Sequence, residues 1–359
     1  MKGIAILPLH GGKTPPKLFN HMVRLAKPLM KYIHDVYGPE EILRRLSNPF
    51  FFQSLGATLG FDWHSSGVTT VLTGVLSRVF DDLELGIHLL GGKGVRMREI
   101  PHEIEKIEGV DRQTILRLSK MSAKSDTVLL QDGYEIYHHT IIFIDEDRWI
   151  VIQQGMNTET GYARRYHWSY EERINKYLEE PHIAIITEDY KDGIINLTDK
   201  KSLEAKKTML DILIDGTLKR DIRKLVSMTD HGLNRWINDG GLSLPKDILI
   251  LPKRINWDDV RRIYEDKPSD YRDLVLYKGM TKNTVRALAL IANIIYGEEV
   301  HWRDTVKYTF TVGGKDGVPY PIDYKTYKSI IEFLEDAVNN TRIESKYRKE
   351  MLMRLKNKM

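Results

Sequence analysis

The sequence predicts an α+β protein: an N-terminal α/β domain with a short central antiparallel sheet, followed by a mainly α-helical helix-hairpin-helix domain. Three observations carry this. Leu18, Met22, Leu25, Leu29 and Ile33 recur at helical spacing. Residues 134–154 read as two strands around Asp145-Glu146-Asp147-Arg148. From about Leu203 to Gly297 the pattern is helical. A chain of 359 residues is long for one core. Two domains are therefore expected, 1–195 and 196–359, with 191–196 as the linker.

In chain order, Ile4–Leu9 reads as a short strand before the turn Gly11-Gly12-Lys13. Helices follow over Pro16–Tyr37 and Pro39–Leu46, and then a helix over Val68–Phe80, which Ser65 or Ser66 would cap. Gly86–Leu90 is strand-like and runs into Gly91-Gly92-Lys93-Gly94, a loop able to cradle a phosphate with Lys93 adding charge. Its spacing lacks the Walker pattern, which argues against nucleotide hydrolysis. Residues 101–122 read as two short helices around Gly109-Val110. Strands are expected at Tyr134–Ile144 and Trp149–Gln154, paired so that His139 opposes Gln154 and Thr140 opposes Gln153. A helix over Tyr170–Leu178 and a strand over His182–Thr187 complete the first domain. Beyond Gly297 the chain continues through Thr305–Phe310 and a turn at Gly313–Gly317. Helices over Tyr324–Val338 and Ser345–Lys356 end it.

Composition narrows the chemistry. There is no cysteine, which excludes disulfides, thiolate zinc sites and cysteine nucleophiles. No apolar run reaches membrane-spanning length, so no membrane partner and a cytoplasmic location are expected. The net charge is +4, and between Arg342 and Lys358 seven Lys/Arg stand against two Glu. This final helix is therefore a candidate phosphate-contacting arm. Abundant Lys, Glu, Arg and Ile suit a thermophile. Self-association into a homo-oligomer is compatible with this composition.

The segment Leu276–Leu288 reads as a helix, a tight glycine-containing turn and a second helix, whose N-terminal N–H groups would bind a phosphate. Lys278, Gly279, Thr281, Lys282, Asn283, Thr284 and Arg286 form this grip, with Lys93, Arg164 and Arg165 as further DNA contacts. Arg164-Arg165-Tyr166-His167-Trp168 mixes cations with aromatics, as stacking surfaces for single strands do, and as the start of an amphipathic helix also would. A second cluster joins Asp62, His64, Asp132, Glu135, His139 and Gln154 as catalytic candidates. Asp62, Asp132, Glu135 and His139 are of the right type to hold Mg²⁺ or Mn²⁺ for phosphodiester hydrolysis.

The turn resembles the element found in helix-hairpin-helix DNA glycosylases. It keeps Gly279, the apolar Met280 and the later Thr284, but has Lys278 and Thr281 where that family has proline and a second glycine. The resemblance implies that Asp304, in Arg303-Asp304-Thr305, holds the place of the family's catalytic aspartate. Asn283 stands where bifunctional members carry lysine, which argues against a lyase. Nucleases of the restriction-enzyme-like class carry Glu-x-Lys on such a β-hairpin, and Ile152-Gln153-Gln154 has neither. Over nearly its full length the chain resembles an uncharacterised archaeal and bacterial family, domain of unknown function seven-six-three. Phe61–Thr70, Gln131–Tyr134, Tyr137-His138-His139, Gln153–Met156, Ala163–Trp168, Gly313–Gly317 and Pro319-Tyr320-Pro321 carry that match. The leading expectation is a metal-dependent, structure-selective DNA nuclease of repair or recombination. The alternatives are a glycosylase-like enzyme using Asp304 and a non-enzymatic DNA-binding protein.

Overall fold

Proline opens each of the first three helices, Pro16–Tyr37, Pro39–Ser47 and Pro49–Thr58, where its missing N–H costs no intrahelical bond. In the computed structural model, which describes residues 14–61, 66–187, 192–227, 255–304 and 324–356, these helices pack with Gly67–Leu83 into one layer. The expected strand Ile4–Leu9, the residues Asp62 and His64, and the segments Thr305–Phe310 and Gly313–Gly317 lie outside the described residues. Gly38, at φ +86°, breaks the first helix from the second. Asn48 caps the third by accepting the N–H groups of Phe50 and Phe51 at 2.9 and 3.3 Å. That helix is buried along its whole length, which accounts for its apolar run. Ser66 occupies the N-cap of Gly67–Leu83 without a side-chain capping bond, and Ser65, the other expected cap, lies outside the described residues.

The chain is a mixed α+β fold. Strands β1 (His88–Lys93), β3 (Glu135–Phe143), β4 (Trp149–Asn157), β5 (Tyr162–Ser169) and β6 (His182–Ile186) form an antiparallel sheet in the order β1-β3-β4-β5-β6. Strands β2 (Leu130–Gln131), β7 (Asp192–Asn196) and β8 (His301–Arg303) form a second, small sheet. Alternation sends Ile142, Ile150 and Ile152 into the core of the N-terminal helices. It sends Ile141, Phe143, Trp149, Val151, Tyr166 and Trp168 to the opposite face, against Ile100, Ile104 and Ile115.

Several expectations are corrected here. The β3–β4 register pairs Phe143 with Trp149, so His139 opposes Gln153 and His138 opposes Gln154. The loop is one residue longer at its start than expected. Asp145 accepts the N–H groups of Asp147 and Arg148, and the Ile144 N–H bonds the Arg148 carbonyl. Residues 162–169 form an inner strand between β4 and β6, with Arg164, Arg165, Tyr166, His167 and Trp168 all buried on its two faces. Tyr170–Leu178 is a series of turns, with Leu178 at φ +54°, and the expected helix is absent. Gly91 and Gly92 lie within β1. The supposed linker contains β7.

Helices Leu203–Ile214, Trp257–Asp266, Tyr271–Leu276 and Lys282–Ile294 close a further core around Met209, Leu213, Ile263, Leu274 and Leu288. The last two described helices, Tyr324–Asn340 and Ser345–Lys356, return to the first core. There Ile331, Leu334, Val338 and Met351 are buried with Leu29, Phe51 and Leu55. The chain therefore crosses back over the expected 195/196 boundary at its end.

Candidate functional site

The turn at Gly279 is built from both sides. Asp270 caps the short helix before it, and Thr281 caps Lys282–Ile294 by accepting the Thr284 N–H at 3.2 Å. By helix geometry the N–H groups of Lys282 and Asn283 find no acceptor within their own helix. Lys278, Thr281 and Asn283 are exposed, and Lys282 is half-exposed with its ammonium 4.0 Å from the Glu135 carboxylate. Thr284 is buried. Arg286 bonds the Gln131 side-chain oxygen at 3.2–3.3 Å, while the Gln131 amide donates to the Lys282 carbonyl.

Behind the turn, the Lys124 ammonium donates to the carbonyls of Val275 (2.9 Å), Met280 (3.3 Å) and Tyr277. Burial pushes its pKa down to about 8. Gly279 has a structural reason of its own. A Cβ there would lie 2.8 Å from the Asp259 Cβ and 3.1 Å from its carbonyl carbon. Exposed Lys93 stands at the far end of β1, with its ammonium 5.8 Å from the Tyr137 ring centre. Gly91 is fixed by the β3 backbone, since a Cβ would meet the His139 carbonyl oxygen at 2.4 Å.

Asp62 and His64 lie outside the described residues, and Asp132, Glu135, His139 and Gln154 do not come together. Asp132 is fully buried: it accepts the Tyr134 N–H (3.0 Å) and the Tyr166 hydroxyl (2.6 Å), and it pairs with Arg164 at 2.9 Å. Arg164 also reaches both Asp304 oxygens, at 3.0 and 2.6 Å, and stacks 4.6 Å from the Tyr134 ring centre. Burial opposes the guanidinium charge, but the two carboxylates outweigh it and raise its pKa above the ordinary value. Arg164 and Arg165 are both fully buried, so neither presents its guanidinium to a DNA strand in this structure. Asp304 is committed to the ion pair with Arg164. Glu135 is exposed and faces Lys282.

His139 and Gln154 lie on opposite faces of the sheet. A bulge between Ile136 and His138 shifts the alternation at the start of β3. Tyr137 thereby joins His138 and Gln154 towards the N-terminal helices, where the Gln154 amide meets Thr69, the Tyr137 hydroxyl and the Ser66 carbonyl (2.9 Å). His138 there lies 3.1 Å from the Thr73 hydroxyl, and burial pushes its pKa to about 3. Among the described residues, no group of three His, Asp or Glu side chains is placed to hold a metal ion.

His139 instead sits between Ser119 and Gln153, neither of which is among the catalytic candidates. Its Nε2 is 2.8 Å from the Ser119 hydroxyl and its Nδ1 is 2.7 Å from the Gln153 side-chain oxygen. Gln153 donates its amide to the Ser122 carbonyl (3.1 Å) and to the Asp126 carboxylate. Asp126 in turn accepts the Trp168 indole N–H at 2.9 Å and pairs with His182. Ser119 carries no sequence signal, because one serine in an amphipathic helix has no motif around it. His139 and Ser119 line a cavity of about 540 Å³, together with Ile100, Leu116, Lys120 and Ile136. The helix Arg112–Lys124 joins the two regions, with Ser119 in the cavity wall and Lys124 on the hairpin carbonyls.

A family model described as "Protein of unknown function (DUF763)" matches residues 3–322. No curated protein and no solved structure matches the chain. Among the described residues no helix is long and apolar enough to cross a membrane.

Proposed function

Because the chain belongs to the DUF763 family of proteins of unknown function, we propose from its own geometry that it is a DNA-processing protein holding the sugar–phosphate backbone at residues 277–283, without reading sequence. One observation carries this reading. The helix Lys282–Ile294 starts beside exposed Lys278 and Asn283 and half-exposed Lys282, and its first N–H groups have no acceptor within the helix. Such an end carries a partial positive charge and favours a phosphate, while the lysines add charge-assisted bonds. In this reading the Lys124 ammonium stiffens the turn, and the Gly279–Asp259 contact fixes its approach to the neighbouring helix.

Binding should be measured by fluorescence anisotropy with labelled duplex, branched and single-stranded DNA over a range of salt. Each lysine that neutralises one phosphate contributes about −0.9 to the slope of log K against log salt on duplex DNA. Lys278→Ala combined with Lys282→Ala therefore flattens that slope by roughly two and weakens all sequences equally. An unchanged slope and affinity would remove the hairpin from the interface. The same substrates, incubated with Mg²⁺ or Mn²⁺ and with EDTA, read out cleavage. A backbone grip alone leaves the DNA intact.

A further inference from the structure

The cavity beside helix Arg112–Lys124 takes no part in that grip, and its wall holds an ordered pair of reactive groups. Ser119 and Ser122 lie one turn apart on this helix. Ser122 bonds back to the Leu118 and Ser119 carbonyls, as helical serines commonly do. Ser119 directs its hydroxyl at His139 instead. The tautomer of His139 follows from the network. Gln153 must point its amide N–H groups at the Ser122 carbonyl and the Asp126 carboxylate, both acceptors. Its oxygen therefore faces Nδ1 of His139, which must carry the proton. Nε2 is left with its lone pair towards the Ser119 hydroxyl, which donates to it. This is the relation of nucleophile, base and orienting group found in nucleophilic catalysis.

We propose that Ser119 is a nucleophile, His139 its general base and Gln153 a positioning residue, in a site that hydrolyses carboxylic esters with a small apolar acyl group. Ile100, Leu116 and Ile136 supply apolar walls for that group, and exposed Arg98 and Lys120 line the same cavity. Ser119 Oγ attacks the ester carbonyl carbon as its proton passes to His139 Nε2. Negative charge develops on the carbonyl oxygen, where the Lys120 and Arg98 cations oppose it. The carbon–oxygen bond to the alcohol then breaks, and the leaving alkoxide takes the proton from Nε2. Water attacks the acyl-serine, gives a proton to Nε2, and releases the acid. That proton returns to Ser119 Oγ.

The test uses a fluorophosphonate probe and p-nitrophenyl butyrate on the whole chain, with the adduct mapped by mass spectrometry. The expected result is one adduct on Ser119, with labelling and ester turnover falling on the order of 100-fold or more in Ser119→Ala. No adduct, or one elsewhere that persists in Ser119→Ala, overturns the proposal. The chain has no cysteine, so Ser119→Cys introduces a single thiol into an otherwise thiol-free protein. Iodoacetamide should alkylate it in the folded state, with a half-maximal rate below the ordinary thiol value of about 8.5. A thiol that reacts only after unfolding would make the pair a core contact and end the assignment. For Gln153, Gln153→Asn should lower kcat and move the pH profile of acylation while leaving the KM for the ester in place.

Discussion

Two adjacent arginines on β5 meet opposite surroundings. Arg164 has two carboxylates, an aromatic face and no exposure. Arg165, equally buried, reaches the neutral oxygens of Gln53 (3.5 Å) and Thr69 (3.4 Å) and stacks 4.8 Å from the Phe52 ring centre. Burial pushes its pKa down to about 9. Breaking a buried pair by removing one partner leaves an uncompensated charge and costs about 3–5 kcal/mol. Arg164→Met should therefore lower urea-unfolding stability by about that amount, because two buried carboxylates lose their cation. Arg165→Met removes a buried cation that meets no carboxylate among the described residues, so its stability should hold or rise. Equal losses in the two variants would show that the carboxylates do not decide the difference. From the sequence Asp132 is a metal-ligand candidate, Arg164 and Arg165 are DNA contacts and Asp304 is a catalytic aspartate; the structure buries all four. The sequence could not mark their partners. Arg164 and Asp304 stand 140 positions apart, and only the strand register and the path of the chain bring them together.

On the scale of the elements, β3 and β5 carry imidazoles through the middle of the protein. His138 points towards the N-terminal helices and His139 towards the opposite face, while His167 on β5 bonds the Ser47 carbonyl at 2.8 Å. All three are buried, and burial lowers the pKa of each below the ordinary 6.5. The sign follows from linkage. Above 6.5 these groups are neutral whether the chain is folded or not, and their contribution is fully present. As pH falls below 6.5 the unfolded chain takes up protons that the folded chain refuses, and for His138 this continues to about 3. Each such histidine removes up to about 1.4 kcal/mol per pH unit over that window. Denaturant unfolding should therefore show stability holding from pH 8 to 6.5 and falling from 6.5 towards 4. His138→Gln should shallow the decline; an unaltered slope would mean that His138 titrates normally. Existence and type were legible for β3 and β4, since their residues alternate around an acidic turn. The one-residue register difference was not, because backbone bonds at Ile144 and the Asp145 side chain set it, and neither was the bulge between Ile136 and His138. β5 was missed for a related reason. Cations inside a sheet look like cations on a surface until their partners are known.

At the scale of the whole molecule, the end of the described chain completes its beginning. An amphipathic helix announces that it packs, but not against what, so Tyr324–Asn340 and Ser345–Lys356 could be read as elements without being placed. They lie on Pro16–Tyr37 and Pro49–Thr58, where Ile331, Leu334 and Leu355 are buried. Two arginines of the last helix hold backbone carbonyls, one in the turn before it and one on the third helix. Arg348 donates to the Thr341 carbonyl at 3.0 Å and Arg354 reaches the Thr58 carbonyl at 3.5 Å. Burying one such apolar side chain contributes about 1.5–3 kcal/mol. Three of them together match much of the total stability of an ordinary domain, about 5–15 kcal/mol. A chain ending at residue 323 should therefore lose the cooperative unfolding of the N-terminal helices and bind a hydrophobic dye at neutral pH. Phe51, Leu55 and Leu29 would be left facing water. The helices around Leu274 and Leu288 form a separate core, so hydrogen exchange should find their amides still protected in the same truncated chain. Loss of protection in both regions at once would show that the two cores unfold as one unit. A truncated chain that melts like the full one would show that the closing helices add nothing to the first core.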